Sequence, residues 1–343
     1  MLDIFVTYYN NPEFLEECLS SIKKQSFKDY TVFILDDASP ECPAKVVNKW
    51  QSHLPIKYTR TTENVGSLLQ IQKIYSKTNA PYFIWLHHDD VWREKFLETV
   101  FVDGLLEQKS CSFSYSLYAT KLNDCVEETT KHFVPVSLSG PQNILYHILF
   151  SNWIQWSFTV IKRKAFDEVG GFRRIIEASS VGAYDPNRLM AFDSYSWARL
   201  SLVGKALANV ERLGVRRLHG DSFGRINKHR HLEEVSLFLD QVFSDTDIFA
   251  DPARYFAKAT QISRIFTKSK LIETIQNTFE KSLFSQPTWC DQSINEHLKT
   301  ELLKIALTVL DDFFYDDMKF ESRKLLSSLD KKRYSGLLSA HRP

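Results

Sequence analysis

An α/β fold with a mostly parallel central sheet is predicted by three features of this chain. Short apolar runs alternate with helical periodicities over roughly the first hundred residues, which implies right-handed crossovers between parallel strands. The run Tyr82 to Leu86 is continuous and aromatic-rich, the pattern of a buried strand. Each run then breaks abruptly into polar residues, at Tyr8-Tyr9-Asn10, at Asp36-Asp37 and at His87-His88-Asp89-Asp90.

At 343 residues the chain can hold one substantial core with an appendage, or two domains. A hydrophobic content of 43% with 25% charged residues is ordinary for a globular protein. The net charge of +1 argues against nucleic acid as the main partner. Five cysteines without CxxC spacing indicate neither a disulfide framework nor a zinc ribbon. No signal sequence precedes Ile4 and no apolar run is long enough to span a bilayer, so the expected location is cytoplasmic.

The elements follow in order. Ile4 to Thr7 is the first strand, and Asn11 caps a helix with Pro12 at its first position and Phe14, Leu15, Cys18, Leu19 and Ile22 at helical spacing. Tyr30 to Leu35 repeats the strand, and Val46, Val47 and Trp50 mark the next helix. Ile56 to Thr59 is a third strand, after which the loop TENVGS leads into a helix carrying Leu68, Leu69, Ile71 and Ile74. Beyond the Tyr82 strand, Phe96, Val100 and Leu105 mark a helix and Ser112 to Tyr118 a strand. Leu122 to Lys131 is a polar connection, Ile144 to Leu149 a helix, and Asn152 to Ile161 an aromatic strand-like run. RKAFDEVGGF reads as a helix and turn, with Gly170 and Gly171 supplying a positive φ or a close backbone approach. Asp193 is an N-cap for the helix with Trp197, Leu200 and Leu202; Gly204 ends it, and Ala206 to Val210 and then GVRRLH are strand-like. From Leu232 onward amphipathic helices dominate, so residues 1–230 and 231–343 are expected to form separate domains.

The chemistry lies at the strand ends. Adjacent carboxylates at the end of a buried strand need a counter-charge, and a hard ion such as Mg²⁺ or Mn²⁺ supplies it through oxygen ligands. The competing use of Asp90 is as a cap for the Phe96 helix. In a parallel sheet, ligands sit beyond the carboxyl ends of the strands, where all three polar breaks fall, and this convergence favours the ligand reading. Tyr9 beside Asp37 offers what a nucleobase needs, a stacking face and an acceptor for a ring N–H, although Asp36 and Asp37 can also form an Asx-turn before Pro40.

The motifs VTYYN, ILDDAS, ENVGS and WLHHDD, in that order and spacing, resemble the nucleotide-sugar half of family 2 glycosyltransferases over approximately residues 1 to 225. The resemblance implies a GT-A fold, Rossmann-like with helices flanking the sheet, followed here by a C-terminal α-helical region. It implies that Thr7, Tyr9 and Asp37 hold the base, Asp89 lies near the ribose, and Gly66 and Gly171 belong to the donor site. It further implies Asp90 as metal ligand, His219 as a second, late ligand, Asp193 as catalytic base, and Mn²⁺ or Mg²⁺ as cofactor. Phe172 would line the sugar site beside Gly171. The chain departs from the family at His87, where an acid is common, at Ile71 and Gln72, near a common arginine, and at Phe192, where a glutamate usually precedes the base.

The expected function is inverting transfer of a sugar, most simply UDP-linked, to a glycan or lipid-linked acceptor in bacterial surface polysaccharide synthesis. Arg216, Arg217 and Arg225 are candidates to face the diphosphate or an anionic acceptor, and Trp153, Trp156 and Trp197 to form an acceptor platform. Basic residues between Arg264 and Lys270 and between Lys331 and Arg333 permit peripheral membrane contact, and the C-terminal helices offer a homodimer surface. The absence of GxGxxG after the first strand disfavours a dehydrogenase, and TYYNN in place of a glycine-rich basic loop disfavours a nucleotidyltransferase. The alternative is a non-catalytic sugar-nucleotide-binding or assembly protein acting through its helical tail.

Overall fold

The computed structural model describes residues 1–122, 125–127, 140–142, 144, 148, 152–180, 189, 192–219 and 234. The chain divides into two units, and almost all described residues fall in the one formed by Met1–His132, Leu138–Leu145 and Trp153–Phe238. The expected C-terminal helical domain, the basic segments within it and Arg225 lie outside the described residues.

The first half alternates as expected: β1 (Leu2–Tyr8), α1 (Pro12–Lys23), β2 (Tyr30–Asp36), α2 (Ala44–Gln51), β3 (Ile56–Arg60), α3 (Ser67–Tyr75) and β4 (Tyr82–His87). There follow β5 (Val91–Trp92), a π-type helix α4 (Glu98–Leu106), β6 (Cys111–Leu122), β7 (Cys125–Glu127) and β8 (Gly140–Gln142). A 3₁₀ turn at Trp156–Phe158 then leads to β9 (Thr159–Lys162), α5 (Arg163–Glu168), α6 (Gly171–Ser180), α7 (Phe192–Val203) and β10 (Lys205–Leu218). The described strands form one sheet in the order β3-β2-β1-β4-β9-β6-β10-β5, with β7 on β6 and β8 on β10. β1 pairs in parallel with both β2 and β4, β2 with β3, and β6 with β10, while β9 runs antiparallel between β4 and β6.

β1 is buried along its whole length, which explains why its sequence is mostly apolar on both faces. Leu2, Ile4, Val6 and Tyr8 face the helix layer with Leu15, Cys18, Leu19 and Ile22 of α1, all buried. Asp3, Phe5 and Thr7 face the other way, where Phe5 meets Phe33, Tyr75 and Phe83. Burial on both sides leaves no room for polar alternation. On the same face as Phe5, Trp85, its partner across β1 and β4, stacks on Phe192 with 5.4 Å between ring centroids, and Trp156 packs on both Trp85 and Trp197.

Several local expectations need correction. Asn152 to Ile161 is not one strand: Trp156–Phe158 winds as a 3₁₀ turn, which brings the Ser157 hydroxyl to the His87 N–H at 3.1 Å. Asn11 sits at the start of α1 in the left-handed region, φ 56°, without a side-chain cap bond. α7 begins at Phe192, so Asp193 lies inside the first turn, where a carboxylate is still favoured by the exposed N–H groups. Trp153, Trp156 and Trp197 are at most 1% exposed and belong to the core, not to an acceptor platform.

Candidate active site

The chain runs outward from β1 to β2 and β3, then returns to β4 on the opposite side of β1. The winding therefore reverses between the parallel strands β1 and β4, the kind of switch point beyond whose carboxyl ends ligands bind in such sheets. The connection that follows each strand lies there.

After β4 the chain turns sharply. The Asp90 N–H donates to the His87 carbonyl at 3.1 Å, and the His88 N–H donates to the Thr7 carbonyl at 3.2 Å, tying the turn to β1. Val91–Trp92 then pairs with Gly214 and Val215 of β10, so Asp90 does not cap a helix; α4 starts only at Glu98. Gly214 makes this pairing possible, because a Cβ there would lie 2.1 Å from the Phe158 ring. His87, Asp89 and Asp90 each present a ligand atom, all within 4.8 Å of one another. His87 Nδ1 is 3.9 Å from Asp90 Oδ2, and His219 Nε2 is 3.2 Å from Asp89 Oδ2.

The two carboxyls titrate far apart. Burial, then the charge of Asp89, pushes Asp90 up to about 7. Burial also opposes the charge on Asp89, but the His219 hydrogen bond and the fields of His88 and His87 outweigh it and hold Asp89 well below the usual carboxylate range. A hard divalent ion favours both charges together, and two carboxylates with an imidazole suit Mn²⁺ or Mg²⁺.

On the β2 side the neighbouring acids divide the work. Asp36 is fully buried and accepts from the Ser39 N–H at 2.9 Å, Tyr58 hydroxyl at 2.7 Å and Arg60 Nη1 at 2.8 Å. Asp37 Oδ1 accepts from the Val65 N–H at 2.9 Å and the Thr61 hydroxyl at 3.2 Å, and Oδ2 from the Gly66 N–H at 2.8 Å. Oδ2 retains a lone pair for a further donor. Gly66, at φ 82°, lets the TENVGS loop fold onto this carboxylate. Tyr9 is 45% exposed, and the two residues after it, Asn10 and Asn11, both have left-handed backbones. Thr7 contributes differently: its hydroxyl oxygen accepts from Trp85 Nε1 at 3.1 Å and its carbonyl anchors His88.

Asp193 is half-buried, and both it and Asp90 act electrostatically on Tyr118 and Arg216. Arg216 thus lies within reach of the Asp89–Asp90 turn and of the first turn of α7. Gly171, φ 58°, packs beside Phe166 and Asp167, while Phe172 is 1% exposed and lies against Tyr75, Trp85 and Trp156. Phe172 therefore backs the aromatic core and does not line a sugar site.

Sequence reasoning named Asp89, Asp90 and His219, but not His87 as the third member of the cluster. The H-x-x-D spacing across a four-residue turn was the available signal.

A Rossmann-like sheet whose crevice combines an exposed aromatic, a carboxylate acceptor and a divalent-capable turn is a GT-A domain. Residues 3–103, which carry β1 to β4 and the turn after them, match the glycosyl transferase family 2 profile, and that stretch is a family 2 glycosyltransferase segment. A stretch of 115 residues is 31% identical to the teichoic acid poly(glycerol phosphate) polymerase of Staphylococcus epidermidis, covering 31% of this chain and 16% of that protein. Among solved structures, S. aureus TarS 1-349 in complex with UDP-GlcNAc superposes with a TM-score of 0.57 at 12% identity, covering 94% of this chain and 91% of that one. The mannosyltransferase PcManGT of Pyrobaculum calidifontis, in complex with GDP-Man and Mn²⁺, gives 0.55 at 13% identity, covering 97% and 87%. These structural likenesses establish the fold. The matches span 16%, 61% and 59% of the lengths of three curated relatives. Among the described residues no helix is long and apolar enough to cross a membrane.

Proposed function

We propose that this chain transfers a sugar from a nucleoside diphosphate donor to a hydroxyl of a bacterial surface glycan or its lipid-linked precursor, with inversion at the anomeric carbon. The observation that carries this reading is the convergence of Tyr9, Asp37, Asp89 and Asp90 at one end of adjacent strands, with His87, Asp89 and Asp90 clustered within 4.8 Å. The relatives' involvement in teichoic acid synthesis supports the setting.

The residues divide into roles. Tyr9 stacks on the base, and the free lone pair of Asp37 Oδ2 accepts its ring N–H, which suits uracil. Asp89 lies toward the ribose, and Gly66 holds the loop that orients Asp37. Asp90, Asp89 and His87 hold a divalent ion, with His219 orienting Asp89 in place of ligating directly. Such an ion neutralises charge developing on the diphosphate leaving group. Asp193 takes the acceptor proton as the acceptor oxygen attacks the anomeric carbon from the face opposite the leaving diphosphate. A single displacement inverts that carbon. Residues 1–230 constitute the catalytic domain in this reading, and residues 231–343 serve acceptor docking, membrane contact or dimerisation.

A thermal-shift screen with UDP-, GDP-, CMP- and dTDP-sugars, with and without Mn²⁺, tests the reading. The expected result is a Mn²⁺-dependent rise in Tm with UDP-sugars that Asp90→Ala abolishes. No shift with any nucleotide would sink the donor assignment. Asp193→Asn should leave that shift intact while lowering kcat by about 10²–10⁴-fold; an unaltered kcat would remove Asp193 from the role of base.

A further inference from the structure

The turn bearing Asp89 and Asp90 is also held by residues of β10 and α1, and Arg217, a candidate in the sequence to face the diphosphate, spends its guanidinium there on protein groups. Arg217, on β10, has a side chain only 9% exposed. Its backbone N–H donates to Asp90 Oδ1 at 3.2 Å, and its Nε donates to the Asp89 carbonyl at 3.3 Å. Its Nη2 donates to the carboxylate of Glu17 on α1, and its guanidinium lies 4.3 Å from the centre of the Phe14 ring, also on α1. Lys121, from β6, places its ammonium 3.5 Å from the same Glu17 oxygen. The Phe14 ring in turn lies 5.4 Å from His219, the residue that reaches Asp89. One helix thus supports both groups that follow from β10 onto the metal turn.

The Asp89 carbonyl belongs to the peptide that joins the two carboxylate-bearing residues. Rotation of that peptide would change the separation and relative direction of the two side chains, and the Arg217 Nε–H fixes its plane. A guanidinium at this depth also needs a counter-charge, and Glu17 supplies it while limiting the rotamers open to Arg217. Groups in this outer layer commonly govern how well a metal site is formed.

We propose that Glu17 and Arg217 are a positioning pair that sets the Asp89–Asp90 turn for a divalent cation, an inference that rests on the metal reading of the proposed function. Both side chains are engaged with each other and with the protein around the turn. Their effect reaches the reaction through the shape of the turn.

Glu16 supplies a matched control. It is the preceding residue on α1 and pairs with Lys49 at 2.6 Å, away from the turn. Mn²⁺ affinity is measured on the full chain by titration calorimetry and by the EPR signal of free Mn²⁺, with no nucleotide present. Wild type is compared with Glu17→Gln, Arg217→Gln, Glu16→Gln and Asp90→Asn, and a melting curve is recorded for each. Glu17→Gln and Arg217→Gln are expected to weaken Mn²⁺ binding by about 10- to 100-fold. Glu16→Gln should bind as wild type does. Glu17 is 48% exposed at its side chain, so that variant carries the test even if Arg217→Gln fails to fold.

Glu17→Gln binding within twofold of wild type, while Asp90→Asn does not bind, would overturn the pairing and leave the metal reading standing. Equal losses in Glu16→Gln and Glu17→Gln would overturn it too, because the effect would then belong to α1 in general. Wild type binding no Mn²⁺ would remove the metal reading itself, and the inference with it.

Discussion

Two acidic pairs end neighbouring strands of the same sheet, yet they are built for opposite ends. At β2, Asp36 is surrounded by an arginine, a tyrosine hydroxyl and a backbone N–H, and Asp37 holds two further N–H groups and a threonine hydroxyl. Their charges are met within the fold. At β4, the carboxylates of Asp89 and Asp90 face each other and histidines; Asp90 also meets the Ser157 hydroxyl, the Arg217 N–H and the field of Arg216, but no lysine or arginine side chain lies within ion-pair distance among the described residues. That pair has no lysine or arginine in direct ion pairing, and Asp90 remains pushed up to about 7. The difference teaches that a D-D dipeptide at a strand end is not a site in itself; what matters is whether the fold has already answered the charge.

The comparison can be broken most directly by neutralising each pair. Asp90→Asn should abolish Mn²⁺-dependent donor binding and lower kcat/KM on the order of 10³-fold or more, since several kcal/mol of charge stabilisation is lost. At pH 8 without metal, the same variant should melt no lower than wild type, because a buried like charge has been removed. Asp36→Ala should do the reverse: a loss of about 3 kcal/mol of stability, read from urea unfolding, with Mn²⁺ affinity unchanged in the folded fraction. If Asp36→Ala weakened metal binding as much as Asp90→Asn, the contrast between the pairs would collapse.

Acid sharpens the same contrast. Asp90 in the folded state titrates near 7, above its value in the unfolded chain, so the folded state binds more protons between about pH 4 and 7. Its contribution to metal-free stability is therefore fully present below that window and is lost as pH rises through about 7. Metal binding needs the ionised form, so Mn²⁺ affinity should fall about tenfold for each pH unit below 7. A Mn²⁺-induced rise in Tm that does not grow between pH 6 and pH 8 would contradict this coupling. The smallest effect is expected at the base: Tyr9→Ala should weaken UDP binding by about fivefold, in line with one lost stacking contact of ~1 kcal/mol, without altering Mn²⁺ affinity.

Much of the first half of the fold was readable, since β1, β2 and β4 are almost continuous buried runs and a parallel strand covered on both faces leaves a plain apolar signature, while β3 at the sheet edge is half exposed. The parallel pairing of these strands followed from the alternation of strands and helices, whereas their order in the sheet came only from the structure. β7 was hidden because its three residues are all exposed, so Leu122 to Lys131 shows no periodicity. NWIQWSFTVI read as a strand because aromatic density says buried without saying extended. At the site, Asp90 was legible from its position at a strand end. Glu17 and Arg217 were not, because the two residues lie 200 positions apart and no local pattern joins them.

That separation has a bearing on the order in which the protein is assembled. The groups that meet Asp89 and Asp90 from β10 are 127, 128 and 130 residues downstream of them. Because contacts so distant in sequence form late, and because the chain emerges from the ribosome amino end first, β1 to β4 can be complete well before Arg217 and His219 arrive. The turn with two crowded acids is thus synthesised early and braced late. A nascent chain stopped short of β10 would carry the carboxylates without the supports that shape them, and competence to hold a cation would be among the last properties the domain acquires.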